Sequence, residues 1–324
     1  MDVLIVEPLD VDVLHWLGAR HALQVAPELG QDAVAFRLAL AGARAVIIPP
    51  WVALDADTLR HAPRLCVVGR LSMGPENIDL DACACAGIEV VRPATASAAA
   101  EAEFVIAALL QMLRRVPILN AEGLLVGREL GGATVGLVGL APAARPLVPL
   151  LTAFGARVQG YDPGVHATDP IWRRTGVTPV GLRELVQSSD ALCVLLPYFA
   201  RFKGLFGQRL LAVAKPNQVL VSLTHSNVFD EAALASALTQ GPLAAAWLDS
   251  LEPGTLDEGR PLRHVDTLQV TPRVASTTQQ ARLRSAWAVA RRVDQLLLSA
   301  EASRDFRTTQ PGALAGLEDD PAPV

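Results

Sequence analysis

Only four cysteines occur in 324 residues, Cys66, Cys83, Cys85 and Cys193, and no two of them form a CxxC pair. That excludes a disulfide-stapled scaffold and a zinc site built from cysteine pairs. The Cys83-x-Cys85 spacing is poor for one tetrahedral metal and strained for a disulfide, so all four read as small buried hydrophobes. Charge is not concentrated either. The 28 Lys+Arg stand against 33 Asp+Glu for a net charge of −5, with no basic block able to track a phosphate backbone. Nucleic acid is therefore not an expected partner. Long apolar runs are missing too. Although 51% of the residues are hydrophobic, the richest stretch, residues 133–144, is stopped by Arg145, short of the roughly 18–20 apolar residues that span a bilayer. Met1-Asp2-Val3-Leu4-Ile5-Val6 opens directly into a strand pattern with no basic segment or cleavage site, the reading of a cytoplasmic chain with no membrane partner.

What is present is a length that suits about two domains of roughly 100–200 residues each. Short apolar runs at residues 3–6, 45–48, 65–69 and 88–91 alternate with helical patterns, which predicts a small parallel sheet. Over 98–115, Phe104, Ala108 and Met112 share one helical face, and Val105, Leu109 and Leu113 the neighbouring one. A stripe that wide suits a helix buried on two sides, between domains or subunits. Further strand runs follow at 134–139, 157–161, 191–196, 219–223, 244–248 and 268–270, the pattern of a doubly wound sheet that binds dinucleotides. A helix over 279–298 and a Pro/Gly/acidic tail over 308–324, expected to be loosely ordered, close the chain. The expected fold class is thus α/β. A flavodoxin-like substrate domain takes 1–97 plus 276–324, a Rossmann dinucleotide-binding domain takes 98–275, and the helices over 98–115 and 279–298 cross between them.

A Rossmann phosphate site needs a strand, a glycine turn, a helix N-terminus and an acid about 20 residues on for the ribose hydroxyls. Thr134-Val135-Gly136-Leu137-Val138-Gly139 supplies the strand and first glycine, and Asp162 in Gly160-Tyr161-Asp162-Pro163 supplies the acid. A carboxylate there favours NAD over NADP, because it repels a 2′-phosphate. The turn itself, Gly139-Leu140-Ala141-Pro142-Ala143-Ala144, carries alanine at the second and third glycine positions. The Ala141 methyl is expected to stand where the backbone should approach the pyrophosphate. Pro146 and Pro149 follow, and a proline inside a helix costs about 3 kcal/mol. These features predict a helix that starts a turn late and weakened or altered dinucleotide binding, with cofactor contacts at Gly139, Ala141, Pro142, Ala143 and Asp162.

From residue 3 to about residue 298 the chain resembles the D-isomer-specific 2-hydroxyacid dehydrogenases, the group that includes phosphoglycerate, glycerate, formate and phosphite dehydrogenases. The likeness rests on Asn77-Ile78-Asp79 after Gly74, on Gly127-Arg128-Glu129-Leu130, and on Gly160-Tyr161-Asp162-Pro163. It continues in Leu195-Leu196-Pro197, the segment from Val228 to Leu234, Leu248-Asp249 and Thr271-Pro272. The resemblance implies hydride transfer between NAD and a 2-hydroxy or 2-keto acid, and dimerisation through the dinucleotide domain. It further implies cofactor contacts at Leu196, Pro197, Leu223, Thr224 and Asp249. Substrate contacts fall at Arg70, Ser72, Met73 and Gly74, and Ser97 stands in for Ala96 if the register slips by one.

The catalytic positions depart from the family's pattern. His225 occupies the slot of the substrate-binding Arg, and Arg273 follows Thr271-Pro272 where the acid/base His belongs. The position of the Glu that orients that His falls on Gly254, unless a short gap brings Glu252-Pro253 into register. Two readings stand. In one the fold is kept and the chemistry lost, leaving a nucleotide- or acid-binding or regulatory protein. In the other Arg and His have exchanged places, with His225 as acid/base oriented by Glu252 and Arg273 clamping the substrate carboxylate. A different reaction in the same cleft would use the same His225. Of the other histidines, His15, His21 and His61 read as peripheral to the first domain, and His166 and His264 as loop residues.

Overall fold

The computed structural model describes residues 1–72, 74, 77–93, 95–115, 117–197 and 199–309, the last nine as helix backbone. Met73 and the tail from residue 310 onward lie outside the described residues. The chain divides into two compact units, Met1–Ala94 with Arg282–Val324, and Thr95–Ala281.

In the first unit β1 (Val3–Ile5), β2 (Leu23–Val25), β3 (Ala45–Ile47), β4 (Val67–Gly69) and β5 (Glu89–Val91) form a parallel sheet in the order β2-β1-β3-β4-β5. That is the flavodoxin-like order. Between the strands run α1 (Val11–Gly18), α2 (Ala33–Leu40), α3 (Ala56–Arg60) and α4 (Leu80–Cys85). Each begins after an aspartate, Asp10, Asp32, Asp55 or Asp79, whose carboxylate accepts from first-turn amides and satisfies donors the helix cannot. Alternate strand residues face opposite sides. Leu4, Val46 and Val68 enter one core, whereas Val3, Ile5 and Ile47 meet Val289, Ala290 and Val293 of the C-terminal helix, Gln279–Thr309. That helix is also tied down by Asp294, whose Oδ1 lies 2.9 Å from Nε2 of the buried His21. β2 escapes sequence reasoning because Leu23-Gln24-Val25 is too short to show a period and sits half-exposed at the sheet edge.

The second unit holds an antiparallel hairpin, β6 (Ile118–Leu119) with β7 (Leu125–Val126), which the sequence pattern does not reveal. Its main sheet has seven parallel strands: β8 (Thr134–Val138), β9 (Arg157–Tyr161), β10 (Thr178–Pro179), β11 (Ala191–Val194), β12 (Gln218–Ser222), β13 (Leu243–Leu248) and β14 (Leu268–Val270). Their order is β10-β9-β8-β11-β12-β13-β14. The two-residue β10 adds an edge strand beyond the six expected. α5 (Ala98–Arg115) and α6 (Ala144–Ala153) cover one face through Val105, Leu109, Met112, Leu147 and Leu151. α6 does not start late. It begins at Ala144, so Pro146 falls among the free amides of the first turn, while Pro149 is accommodated inside the helix.

Gly69 ends β4 where a side chain has no room: an added Cβ would lie 2.7 Å from Val289 Cγ1 and 3.1 Å from Ile47 Cγ1. Gly69→Ala should therefore lower the unfolding free energy by about 1–3 kcal/mol in urea titrations, through overpacking between β4 and the C-terminal helix.

Candidate functional site

β8 pairs with β9 on one side and β11 on the other, so the strand order reverses there. Open parallel sheets bind ligands outside the carboxyl ends of their strands at such a point. Gly139 leaves β8 with φ +101°, and a Cβ on it would meet Leu196 N at 2.8 Å and Leu196 Cα at 3.0 Å. Glycine is required here on both counts. Its N–H donates to the Tyr161 carbonyl at 2.7 Å, and the Asp162 carboxylate accepts from Leu140 N at 2.7 Å and Gly164 N at 2.8 Å. The turn, the end of β9 and the segment after β11 are thereby locked together.

The residues of this turn fit a dinucleotide. Ala141 is half-buried and packs against the core of the second unit. The N–H groups of Ala141 and Ala143 have no acceptor among the described residues and remain as donors for a pyrophosphate. Exposed Pro142 supplies none. Asp162 keeps lone pairs for ribose hydroxyls, since a carboxylate accepts about four hydrogen bonds and two are used. Of the other expected cofactor contacts, Thr224 is buried and its hydroxyl donates to the Leu196 carbonyl at 2.8 Å, pinning the end of β12 to that of β11. Leu196 is buried, Leu223 half-buried and Pro197 exposed.

His225 and Glu252 are brought together. Nε2 of His225 pairs with Oε1 of Glu252, and His225 Nδ1 accepts from Asn227 N at 3.3 Å. With Nδ1 accepting, the neutral ring carries its proton on Nε2, toward the carboxylate. The Glu252 amide donates in turn to Ser226 Oγ at 3.0 Å, so one short loop carries the histidine and fixes its partner. Gly254, at the family's original spacing, has φ +81° in the loop beyond.

Arg273 is exposed and takes a left-handed backbone, φ +56°, unusual for a residue with a long side chain. Its N–H donates to the Asp249 carbonyl at 2.7 Å and its Nε to Ser250 Oγ at 3.2 Å. Asp249 itself is largely consumed by structure. Its carboxylate accepts from Thr271 Oγ1 at 2.6 Å and from the amides of Val274 and Ala275, both at 2.9 Å, and so caps the loop that presents Arg273.

In the first unit Arg70 is 2% exposed and donates to the Gly74 carbonyl at 2.8 Å, which fixes the loop that carries exposed Ser72 and half-buried Gly74. Beside it lies a residue the sequence reading passed over, Glu7, buried and paired with Arg282 at 3.0 Å. Burial pushes the Glu7 carboxyl above its ordinary range, against the pull of Arg282 and Arg70.

The matches to known proteins agree with this geometry. A family model described as D-isomer specific 2-hydroxyacid dehydrogenase, NAD binding domain, matches residues 106–275. The chain belongs to that family. It is 32% identical over 295 residues to an (S)-sulfolactate dehydrogenase of Chromohalobacter salexigens, covering 88% of this chain and 95% of that protein. It is 33% identical over 282 residues to a D-3-phosphoglycerate dehydrogenase of Mycobacterium bovis, covering 84% of this chain but 52% of that protein. The chain thus spans about half the length of the curated phosphoglycerate dehydrogenases it matches. Among solved structures, the TT0316 protein from Thermus thermophilus superposes with a TM-score of 0.74 at 25% identity, covering 92% of this chain and 97% of that one.

A second, half-buried acid was also missed. Glu101, in the first turn of α5, accepts from Ser97 Oγ at 2.7 Å, and burial, with Asp249 nearby, pushes its carboxyl above the usual range. The folded protein holds this proton more tightly than the unfolded chain does. Stability should therefore fall as pH rises through and above the ordinary glutamate range. Glu101→Gln should flatten that part of the profile, read as a smaller drop in urea midpoint between about pH 5 and about pH 7.5.

Proposed function

We propose that this protein is an NAD-dependent 2-hydroxyacid dehydrogenase in which the acid/base and the substrate-binding cation have exchanged positions. The observation that supports this reading is the His225–Glu252 pair: the imidazole has moved to the loop after β12, and the carboxylate that orients it has been kept. A bound nicotinamide would take up or supply the hydride at the substrate's C2. The chain's own part is the proton. In the oxidation direction Nδ1 of His225 receives the hydroxyl proton as the carbonyl forms, and Glu252 stabilises the resulting imidazolium through Nε2. The 3.3 Å contact from Asn227 N is long and weak, and a substrate hydroxyl replaces it. Arg273 clamps the substrate carboxylate.

No disulfide joins the described cysteines; Cys83 and Cys193 are the buried hydrophobes the sequence predicts, whereas Cys66 is half-buried and Cys85 exposed, and burial pushes Cys193 up to about 12. No helix among the described residues is long and apolar enough to cross a membrane. We further propose a homodimer formed through the second unit, where the β6–β7 hairpin exposes Leu119, Leu124 and Leu125 by 67%, 61% and 70%.

NADH oxidation with glyoxylate, hydroxypyruvate and larger 2-keto acids tests the activity. His225→Asn should lower kcat by roughly 10²–10⁴-fold, with Glu252→Gln shifting the pH profile. A fully active His225→Ala enzyme overturns the exchange. The absence of turnover across the panel, with NAD still bound, favours a binding or regulatory protein. Replacing Leu119 and Leu125 together by serine should shift the species seen in light scattering from dimer to monomer.

A further inference from the structure

The turn after β8 offers a dinucleotide few backbone donors and one cation, the exposed Arg145 in the first turn of α6. Pro142 has no N–H, Ala143 caps α6 without a side-chain acceptor or donor, and Pro146 removes another amide from the first turn. A pyrophosphate carries two negative charges, and the Ala141 and Ala143 amides with Arg145 leave it open to a second cation. The segment that touches Gly139 continues through Leu196 and Pro197 into a short 3-10 turn, Ala200–Phe202, preceded by Phe199. Here Arg201 is held in an unusual way. Its guanidinium carbon lies 4.8 Å from the Phe199 ring and 4.8 Å from the Phe202 ring, which stand edge to face at 5.9 Å. Phe202 is buried, so the platform is anchored, while Phe199 is 48% exposed.

Among the described residues no carboxylate pairs with Arg201 and no acceptor takes its N–H groups. A guanidinium stacked between rings keeps its in-plane donors open and has already lost much of the rotamer freedom that binding would cost. We propose that Arg201 is a phosphate anchor for the dinucleotide, adding from the 3-10 turn beyond β11 a cation and donors to those of the turn after β8. Planar donors on a fixed stack suit the paired oxygens of a phosphate. This assignment rests on the reading of the β8–β11 crevice as the dinucleotide site.

Calorimetric titration of the whole chain with NAD, ADP-ribose and adenosine tests it, on wild type and Arg201→Ala. The substitution should weaken NAD and ADP-ribose about ten- to a hundredfold and reduce the salt sensitivity of both, as expected for a lost charge-assisted bond. Adenosine, which has no phosphate, should bind both proteins equally. An NAD affinity within about twofold of wild type at low salt would overturn the anchor, and so would an equal loss for adenosine, which would assign Arg201 to the base. Wild-type protein that takes up no NAD would instead remove the dinucleotide reading on which the anchor stands.

Discussion

The close approach of Gly139 to the backbone of Leu195 and Leu196 sets the geometry on which the rest of the second unit's site depends. Here a glycine with φ +101° lets the turn after β8 lie directly on the end of β11. Asp162 then reaches Leu140, and Thr224 reaches Leu196, so four strand ends are tied by hydrogen bonds of 2.7–2.8 Å. A methyl group at residue 139 would break that arrangement before any ligand arrived. At Ala141 the chain is half-buried and packs against the core of the second unit.

Several residues with chemical potential turn out to spend it on structure. Asp249 gives three acceptances to the 271–275 loop, Arg70 holds the Gly74 carbonyl, and the Thr224 hydroxyl is committed to strand-end carbonyls. Buried polar groups are costly unless satisfied, so a buried candidate is usually a satisfied one. His225 differs. It is only partly covered, Nε2 is paired with a carboxylate, and Nδ1 accepts from a backbone amide at 3.3 Å. Arg273 stands out by its backbone, since a left-handed arginine is held only because Asp249 caps the loop around it.

Much of the fold was legible because burial leaves a period in the residues. Both parallel sheets and the helix over 98–115 follow from local patterns of apolar residues. β2, β10 and the β6–β7 hairpin were not legible, since two or three residues show no period and edge positions are not held by core burial. In the site, Gly139, Asp162, His225 and Glu252 could be named from motif order. Glu7, Glu101 and Arg201 could not, because an isolated charged residue is unremarkable until its surroundings are known.

The sequence by itself determined the fold class, the family and the departure from the family's pattern at His225 and Arg273, since each depends only on which residue types occur in which order. Only the tertiary structure decided that Glu252 rather than Gly254 pairs with His225, that Ala141 packs against the core and that Asp249 is a cap. Each of those outcomes turns on a side chain's direction and on contacts of about 3 Å between residues well separated in the chain. Chain order does not encode such contacts until the strands have paired and aligned their ends.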